Sequence, residues 1–373
     1  MKVKLGDLIE EYSERNADNK YKPVAVGKYG IRARESIYSK ELAKDYSKNK
    51  LIYKGTLTIG MGSNQIDIGI LRDDEIYSVS PAYHTYNIKI SNYDYLDYLL
   101  AANNNRMFSI YANRGSRQGK TLDLKRWLTD ELHLHDEKDQ KIIVQTLNAV
   151  KQLISQKEAE LVKLDNLIKA RFVEIFNMES YPIKPLSEIA EYWNGLTYKP
   201  SDVSSDGIIV LRSSNIQDMQ LDLNDIVRVK CKINNKKMVK TNDILMCSRN
   251  GSAKLVGKVA LIPELEETMS FGAFMMIIRS AYYPYLMTYF QLPVFRSQIS
   301  TGTTTINQIT RYMLDKVSLP VPDMAKIKEF KTFVTQVDKS KFVLSNELTM
   351  CGFYIRLIHD RVMHSCINLR VAQ

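Results

Sequence analysis

The sequence predicts an α+β protein with two tandem globules, each followed by a long helix, and the two helices packed as a coiled coil. Two observations carry this prediction. The chain repeats itself loosely from end to end, and each copy ends in a long apolar seam. A length of 373 residues leaves room for about two domains, at roughly 100–200 residues per domain.

The internal repetition is visible near both ends of each copy. Residues 4–10 resemble residues 185–191, which lie 181 residues later. Near the end of the first globule, Gly115-Ser116, Leu122 and Leu132 have counterparts 187 residues later at Gly302-Thr303, Ile309 and Leu319. Because the matches keep the same order, the two copies differ mainly in loop length.

The end of each copy carries a 3.5-residue apolar period, which is the signature of a coiled coil. The first seam consists of Ile143, Leu147, Val150, Ile154, Lys157, Leu161, Leu164, Ile168, Arg171 and Ile175. The second lies 187 residues later, at Phe330, Val334, Val337, Lys341, Leu344, Leu348, Cys351, Ile355, Ile358 and Val362. Lys157 and Lys341 interrupt the seams. Two helices buried separately on their own globules are the alternative, but matched seams in a tandem repeat most simply pack on each other.

The segments between the helices have mixed character. Short β-prone runs at 208–211 and 244–247 follow turn signals, and helical patches at 95–103 and 285–295 interrupt them. We therefore predict small globules with mostly antiparallel sheets. The X-Pro pairs at 319–322 cannot continue a helix and end the second globule. The predicted domains are 1–138 (first globule), 139–177 (first helix), 178–322 (second globule) and 323–373 (second helix and tail).

Composition narrows the class of protein. Lys and Arg number 52 against 42 Asp and Glu, and the formal net charge of +10 favours a polyanionic partner such as nucleic acid. No apolar run approaches the roughly 18 residues of a membrane helix, and the amino terminus lacks the apolar core of a signal peptide. Four cysteines without a C-x-x-C pair indicate a reducing compartment. We expect a cytoplasmic protein without a membrane segment.

The sequence lacks the motifs that mark common enzymes. It contains no G-x-x-x-x-G-K-[ST] phosphate loop, no G-x-G-x-x-G and no Asn-Pro-Pro-aromatic tetrapeptide. The acidic run at 264–267 is typical of a solvated loop rather than an acid/base pair. The chain is therefore predicted to be non-catalytic by itself and to bind no cofactor.

Histidines provide a weak case for a metal. His133 and His135 alternate along a predicted strand and so share one face, but two histidines alone make a poor metal site. We expect them to lie at a solvated edge. His359, His364 and Cys366 have no fourth ligand at a standard spacing. No metal site is predicted.

Cationic, amide and aromatic side chains cluster in loops of both globules. Arg makes bidentate contacts with guanine and Asn or Gln with adenine, whereas Lys, Ser and backbone amides bind phosphates. For any single residue the alternative is ordinary solvated surface. In the first globule the predicted DNA contacts are Lys28, Arg32, Arg34, Asn64 and Gln118. In the second they are Tyr198, Arg212, Asn215, Arg249 and Asn250.

Over essentially its whole length the chain resembles the specificity (S) subunit of Type I restriction–modification systems. The local matches are residues 193–200, 207–216, 242–246, 301–304 and 317–322 in the second globule, with 21–24 and 80–83 in the first. The chain departs from the family pattern at 133–136, where the family usually has prolines. It also lacks the usual Glu-Gln pair before the second helix.

The resemblance implies that each globule is a target-recognition domain and that the two together read an asymmetric, bipartite target in double-stranded DNA. The resemblance also implies that the two helices pack as an antiparallel coiled coil and act as a ruler, which would set the half-sites about one turn apart, roughly 34–36 Å. Two adenine methyltransferase (M) subunits and endonuclease/translocase (R) subunits are the implied partners. S-adenosylmethionine, ATP and Mg²⁺ would belong to those partners.

Three alternatives stay open at this point. A Type IIB-like system uses a specificity subunit of the same fold, with a fused nuclease-methyltransferase partner. A stand-alone DNA-dependent nuclease with a degenerate motif would cleave DNA without partners. A coiled-coil scaffold without a DNA role would make the basic loops irrelevant to DNA affinity and to its salt dependence.

Overall fold

The structure is a computed structural model that describes residues 1–37, 45–114, 120–176, 180–299 and 308–363, without the side chains of 114 and 359–363. It divides into two compact units. The first unit comprises Met1–Glu158 with Ser345–Gln373, and the second comprises Ala159–Leu344. The bounds of the four predicted domains stay a prediction.

Among its described residues, the first unit combines short strands with one long and two short helices, and it contains the start of one very long helix and the end of another. Its strands are β1 (Lys2–Lys4), β2 (Ile9–Tyr12), β3 (Val24–Gly27), β4 (Gly30–Ala33), β5 (Lys50–Ile52), β6 (Leu57–Met61), β7 (Ile66–Ile70), β8 (Tyr77–Val79), β9 (His84–Ile88), β10 (Ala112–Arg114), β11 (Lys120–Leu122) and β12 (Glu131–His133). The helices are α1 (Leu5–Leu8), α2 (Tyr93–Tyr111), α3 (Leu124–Trp127) and α4 (Glu137–Ile175).

Like the globule of the first unit, the globule of the second begins with a strand, a short helix and a strand, and its last elements before the long helix are a short helix and a strand. Its strands are β13 (Ile183–Pro185), β14 (Glu191–Asn194), β15 (Val203–Leu211), β16 (Ile216–Gln217), β17 (Gln220–Leu221), β18 (Arg228–Val229), β19 (Ile244–Cys247), β20 (Val259–Leu261), β21 (Met269–Phe271), β22 (Met275–Arg279) and β23 (Ser318–Pro320). The helices are α5 (Leu186–Ile189), α6 (Tyr283–Tyr289), α7 (Pro293–Ile299), α8 (Arg311–Asp315) and α9 (Met324–Met363).

The pairing of the first and last strands shows the internal repeat directly. β1 pairs antiparallel with β12 so that Lys2 faces His133, and β13 pairs with β23 so that Ile183 faces Pro320. These partners are equivalent by the 181- and 187-residue offsets of the sequence repeat.

Each globule contains an apolar core between a mostly antiparallel sheet and helices. The first has a four-stranded sheet in the order β2-β9-β6-β7. The second has a six-stranded sheet in the order β14-β22-β19-β20-β17-β16 and a three-stranded sheet in the order β18-β15-β21. The pairs β15–β21 and β17–β20 are parallel. The predicted runs at 208–211 and 244–247 lie in β15 and β19.

The helical patches predicted within the globules form, with one interruption. The patch at 95–103 lies inside α2, which is 19 residues long. The patch at 285–295 splits between α6 and α7. Pro293 is the first residue of α7, because a proline lacks the N–H that an uninterrupted helix would need and is tolerated at a helix start.

The two long helices begin at equivalent residues. Asp136 Oδ1 accepts a hydrogen bond from Asp139 N at 2.8 Å, and Asp323 Oδ1 accepts one from Lys326 N at 2.9 Å. These side chains satisfy amides that the first turn leaves unpaired. α4 has 39 residues and α9 has 40. At 1.5 Å per residue, each is about 60 Å long.

In each unit, a part of α4 packs on a part of α9. Within the second unit, Asp165 binds Lys341 at 2.7 Å and Arg171 binds Glu329 at 2.9 Å. Because the partner number on α9 falls as the number on α4 rises, the two helices are antiparallel. This packing confirms the predicted fold class.

Buried seam residues join these helices to the globules. Ile143 and Leu147 belong to the core of the first unit, and Phe330 to the core of the second. The two lysines that interrupt the seams are ion-paired across the helices: Lys157 binds Glu347 at 2.9 Å within the first unit, and Lys341 binds Asp165 in the second. Polar seam positions of this kind restrict the register of a coiled coil.

The expectation of a solvated edge at the two histidines is wrong for His135, which is 8% exposed. The His133 and His135 rings lie 4.8 Å apart between centroids, and His135 Nδ1 lies 2.7 Å from the Tyr95 hydroxyl oxygen of α2. α2 therefore covers the face that the strand alternation assigned to solvent. Burial lowers the pKa of both histidines, and for His135 the neighbouring His133 lowers the pKa further.

Candidate nucleic-acid interface

Four of the candidate residues of the second globule line a single cleft of about 1130 Å³. They are Tyr198, Arg212, Arg249 and Asn250. Strand direction explains why they meet. β14 and β19 both run antiparallel to β22, so their carboxyl ends lie at the same edge of the sheet. Tyr198 follows β14, and Arg249 and Asn250 follow β19.

Arg212 reaches the same cleft from the neighbouring sheet. It directly follows β15, which runs parallel to β21, and the chain passes from β21 through a short loop into β22. Its Nη2 donates to Asp225 Oδ2 at 2.9 Å. Its Nε is buried without a hydrogen-bond partner in the described structure. The Arg212 side chain is 35% exposed, so the outer N–H groups of the guanidinium, and not the buried Nε, can reach a ligand in the cleft.

Asn215 has a different environment from the other candidates, because it is only 1% exposed. Its Nδ2 donates to the carbonyl oxygens of Asp222 and Asp225, both at 2.8 Å, and its Oδ1 accepts from Arg212 N, also at 2.8 Å. Nearly all of its hydrogen-bonding capacity is used inside the protein. Asn215 therefore fixes the loop that carries Arg212 instead of facing the cleft.

Arg249 and Asn250 follow β19, and their side chains differ in exposure and in hydrogen bonding. Arg249 is exposed, and its guanidinium lies 5.4 Å from the centroid of the Phe274 ring. Asn250 is half-buried: its Nδ2 donates to Ser213 Oγ at 3.1 Å and its Oδ1 accepts from Ser252 N at 2.9 Å. One N–H and one oxygen lone pair of the Asn250 amide remain for a ligand.

The candidate residues of the first globule are spread over several surfaces. Lys28 and Arg32 lie on the β3–β4 hairpin and line a cleft of about 1080 Å³. Between them Tyr29 is 71% exposed, with Lys28 Nζ at 5.6 Å and the Arg32 guanidinium at 5.3 Å from its ring centroid. Gly30 has φ of +77°, which allows the tight turn that presents this tyrosine.

The remaining candidates of the first globule lie elsewhere. Arg34 lines a separate cleft of about 510 Å³ together with His84 and Lys120. Asn64 is exposed in the turn between β6 and β7 and lines neither cleft. Gln118 lies outside the described residues. The structure thus brings together two of the five candidates of this globule.

The larger cleft of the first unit is also lined by helix residues, which were not predicted from the sequence. Asn105 on α2 and Asn148 and Lys151 on α4 line it. The Lys151 Nζ lies 4.2 Å from the Tyr98 ring centroid, and burial lowers the pKa of this lysine. The run Asn103-Asn104-Asn105 inside a helix was an available signal, because asparagine is a poor former of helix interiors.

This cleft is lined by more acidic residues than the cleft of the second unit. Asp94 and Asp97 line it, and Arg72 binds both of them at 2.9 and 2.7 Å. The arginine is committed to these carboxylates and offers little charge to a phosphate. The two clefts therefore differ in charge as well as in their hydrogen-bonding groups.

In the second unit, sequence reasoning missed Phe274 as a lining residue of the cleft. It is 60% exposed and precedes the apolar strand β22. The sequence carries no simple signal for it, since an aromatic residue beside the run 275–278 looks like part of a buried strand.

Two further features are absent from the described residues. No helix there is long and apolar enough to cross a membrane. Nor does that part of the chain contain a group of three or more His, Cys, Asp or Glu side chains that could hold a metal ion. His364 and Cys366 lie outside the described residues, as does the side chain of His359.

Comparison with known proteins supports the resemblance found in the sequence. No family model matches the chain. The Type I restriction enzyme StySPI specificity subunit of Salmonella potsdam is 28% identical over 177 residues, which is 44% of this chain. The match spans 38% of the length of that relative.

Solved structures resemble the chain over nearly its whole length. A chain from a type I R-M system, solved to explain complex assembly and conformational transition, has a TM-score of 0.60 at 15% identity and covers 98% of both chains. The S subunit of the Type-I restriction-modification system from M. genitalium has a TM-score of 0.53 at 12% identity, covering 98% of this chain and 96% of its own. The chain thus resembles Type I specificity subunits in sequence and shares their fold.

Proposed function

We propose that this chain is the DNA-specificity subunit of a Type I restriction–modification complex. It reads an asymmetric, bipartite target in double-stranded DNA and performs no chemistry itself. The observation that carries the proposal is the cleft of the second unit, where Tyr198, Arg212, Arg249 and Asn250 converge. The likeness to specificity subunits in sequence and fold supports the same conclusion.

The groups in this cleft suit recognition in the major groove. Arg249 is exposed, and an arginine can donate two parallel hydrogen bonds to O6 and N7 of guanine. The free N–H and lone pair of Asn250 match N7 and the N6 amino group of adenine. The hydroxyl groups of Tyr198 and Ser213 suit phosphate oxygens, which fix position without reading sequence.

The two units support an asymmetric target. The first cleft offers Lys28, Arg32 and Asn105, whereas the second offers two arginines and Asn250. Clefts lined by different side chains read different bases. In this proposal the paired helices α4 and α9 separate the half-sites by about one turn of DNA, roughly 34–36 Å, and leave the intervening bases unread.

The partners follow from the proposed role. Two adenine methyltransferase (M) subunits and the endonuclease/translocase (R) subunits join this chain in the cytoplasm and hold S-adenosylmethionine, ATP and Mg²⁺. A Type IIB-like system is the alternative, and it differs in having one fused nuclease-methyltransferase partner. The reading frames next to the gene for this chain distinguish the two.

A methylome tests the proposal. The chain is co-expressed with its neighbouring methyltransferase in a host that lacks adenine methylation, and the DNA is sequenced with modification-sensitive long reads. We expect a single asymmetric, split motif with methyladenine in both halves. The methyltransferase expressed alone is the control and should leave that motif unmodified.

Two results would contradict the proposal. A soluble complex that produces no new methylation would favour a scaffold without a DNA role. Cleavage of DNA by the purified chain with Mg²⁺, in the absence of partners, would identify a stand-alone nuclease.

A further inference from the structure

Phe274 lies in the cleft of the second unit with 60% of its surface exposed. Exposure alone means little, because isolated apolar side chains are common on protein surfaces. The contrast with Phe271 is more informative: that residue lies three positions earlier and is fully buried. The last residue of β21 thus buries its ring in the core, and the loop between β21 and β22 presents the second ring in the cleft.

The backbone holds Phe274 rigidly in this position. Its carbonyl oxygen accepts three hydrogen bonds, from Ser248 N at 2.9 Å, Arg249 N at 3.0 Å and Ser248 Oγ at 2.9 Å. On the other side of the loop, Gly272 N donates to Leu211 O at 2.9 Å. The loop is therefore tied to the ends of both β19 and β15, which also carry the arginines of the cleft.

Arg249 covers one face of this ring. Its guanidinium lies 5.4 Å from the ring centroid, within the range of a cation–π contact. The contact restrains a long, flexible side chain before any ligand binds, which lowers the entropy lost when its planar group forms two hydrogen bonds. Phe274 thus presents an exposed apolar edge directly beside a pre-positioned arginine.

Building on the proposed function, we propose that Phe274 is the apolar reader of the second half-site. Its ring packs against the 5-methyl group of a thymine in the major groove, while Arg249 contacts a guanine in a neighbouring base pair. The thymine methyl is the apolar group that distinguishes base pairs in the major groove, and phenylalanine is among the residues that read it. The other lining side chains named above recognise hydrogen-bonding groups.

The test uses the methyltransferase complex of this chain and the target that the methylome provides. Each thymine of the target is replaced in turn by deoxyuridine, which lacks only the methyl group. For the unaltered complex we expect about a fourfold loss of affinity at one position, the size expected for one buried methyl group. Phe274→Ala should bind the natural target at least about fourfold more weakly and lose nothing further at that position.

Two variants control the measurement. Phe274→Leu keeps an apolar side chain and should retain part of the discrimination between thymine and deoxyuridine. Tyr312 is 66% exposed on α8, outside the cleft, and carries Lys316 at 4.2 Å from its ring centroid. Tyr312→Ala therefore removes a similar exposed ring with a cation on it, and it should leave both the affinity and the deoxyuridine effect unchanged.

One result would overturn the inference directly. If Phe274→Ala weakens binding by the same factor on the thymine and the deoxyuridine target at every position, the ring does not read a methyl group. An increase in 2-aminopurine fluorescence at one base step that depends on Phe274 would also overturn it, because it would identify a wedge that unstacks bases. Both results leave the proposed function intact. A complex without any preferred target would overturn the proposed function and this inference together.

Discussion

In the first unit, Leu5 N donates to Asp130 O at 2.9 Å, and in the second the equivalent Leu186 N donates to Val317 O at 2.8 Å. The frame around each globule is thus repeated down to single hydrogen bonds. The clefts are not repeated: one is formed by a hairpin and two helices, the other by loops at the ends of strands. The strand and hydrogen-bond pattern that joins each globule to its long helix is therefore the same in both units, whereas the recognition surface differs.

The two units also differ in buried charge, and breaking the buried charge pair of the first unit should have the largest effect on stability. In the first unit Asp130 is 4% exposed and binds Arg106 at 2.5 Å and the Tyr111 hydroxyl at 2.6 Å. Arg106→Ala leaves this carboxylate buried without its cation, so we expect the first unit to lose about 3 kcal/mol of stability. Denaturant unfolding followed by Trp127 fluorescence, in a Trp193→Phe background, measures this loss, because each unit has one tryptophan.

The equivalent of Asp130 in the second unit supplies the control. Val317 stands there, fully buried. Combining Arg106→Met with Asp130→Val removes both charges, and this double variant should be clearly more stable than Arg106→Ala. If the two variants unfold at the same denaturant concentration, the charge pair contributes nothing specific to the first unit.

The second prediction concerns the buried asparagine of the second unit, which has no counterpart among the predicted residues of the first. Asn215→Ala leaves Asp222 O, Asp225 O and Arg212 N without their partner. We expect a loss of about 2 kcal/mol from the second unit, within the range for buried unpaired groups. Trp193 fluorescence in a Trp127→Phe background reports it.

A matched variant shows whether that effect belongs to the site. Asn224 is exposed in the same region, so Asn224→Ala should change stability by less than about 0.5 kcal/mol. Equal effects of Asn215→Ala and Asn224→Ala would mean that the three hydrogen bonds of Asn215 do not hold the loop.

The third prediction compares the two clefts in DNA binding. Arg249→Gln should cost about 1–3 kcal/mol, roughly a 5- to 150-fold loss of affinity, and relax the motif at one position of one half-site. Arg32→Gln should act on the other half-site only. The methylome of each variant reports the position, and binding titrations report the affinity.

Arg311 provides a charge-matched control for these variants. It is exposed on α8, outside the cleft of the second unit, so Arg311→Gln should leave the motif unchanged. If Arg249→Gln weakens binding equally on all sequences and lowers the salt dependence by about one unit, Arg249 binds a phosphate and not a base.

The smallest expected effect is a difference in pH dependence. Burial lowers the pKa of His133 and His135 in the folded first unit, whereas an unfolded histidine has a pKa near 6.5. Protonation therefore favours unfolding: their contribution is fully present above about pH 6.5 and is lost as the pH falls toward the folded pKa values. Each histidine contributes at most about 1.4 kcal/mol per pH unit.

The second unit has Pro320 and Pro322 at the equivalent positions, so its stability should lack this histidine-dependent fall at low pH. Unfolding at about pH 7.5 and pH 5.5, followed by each tryptophan separately, compares the units. Replacing both histidines by glutamine should flatten the pH dependence of the first unit. An unchanged slope in that double variant would rule out these histidines as its source.

The features that follow from periodicity were predictable from the sequence. The seams identified α4 and α9 and their packing on each other, because a 3.5-residue period is a local signal repeated many times, whereas the antiparallel orientation came from the family resemblance. Runs such as 244–247 identified central strands. Features that depend on what packs over a residue were not predictable. His135 looked exposed because nothing in its strand indicates that α2 and its Tyr95 cover that face.

The candidate site, too, was predictable only where it follows from a local pattern in the sequence. Arg212, Arg249 and Asn250 were found because polar residues directly follow recognisable strands, and parallel strand directions bring such positions together. Asn215 was selected by residue type, although its burial depends on the carbonyl groups that surround it. In the first unit the cleft uses helix positions such as Asn105 and Lys151, which no strand-end rule would find.

The discontinuity of the first unit has a consequence for synthesis on the ribosome. That unit combines Met1–Glu158 with Ser345–Gln373, whereas Ala159–Leu344 forms the second unit from one continuous segment. At 5–20 residues per second, the ribosome needs roughly 10–40 s to pass from one part of the first unit to the other. The unit translated first is thus completed last, and during this interval the apolar stripe of α4 that contains Ile143 and Leu147 has no α9 to pack against.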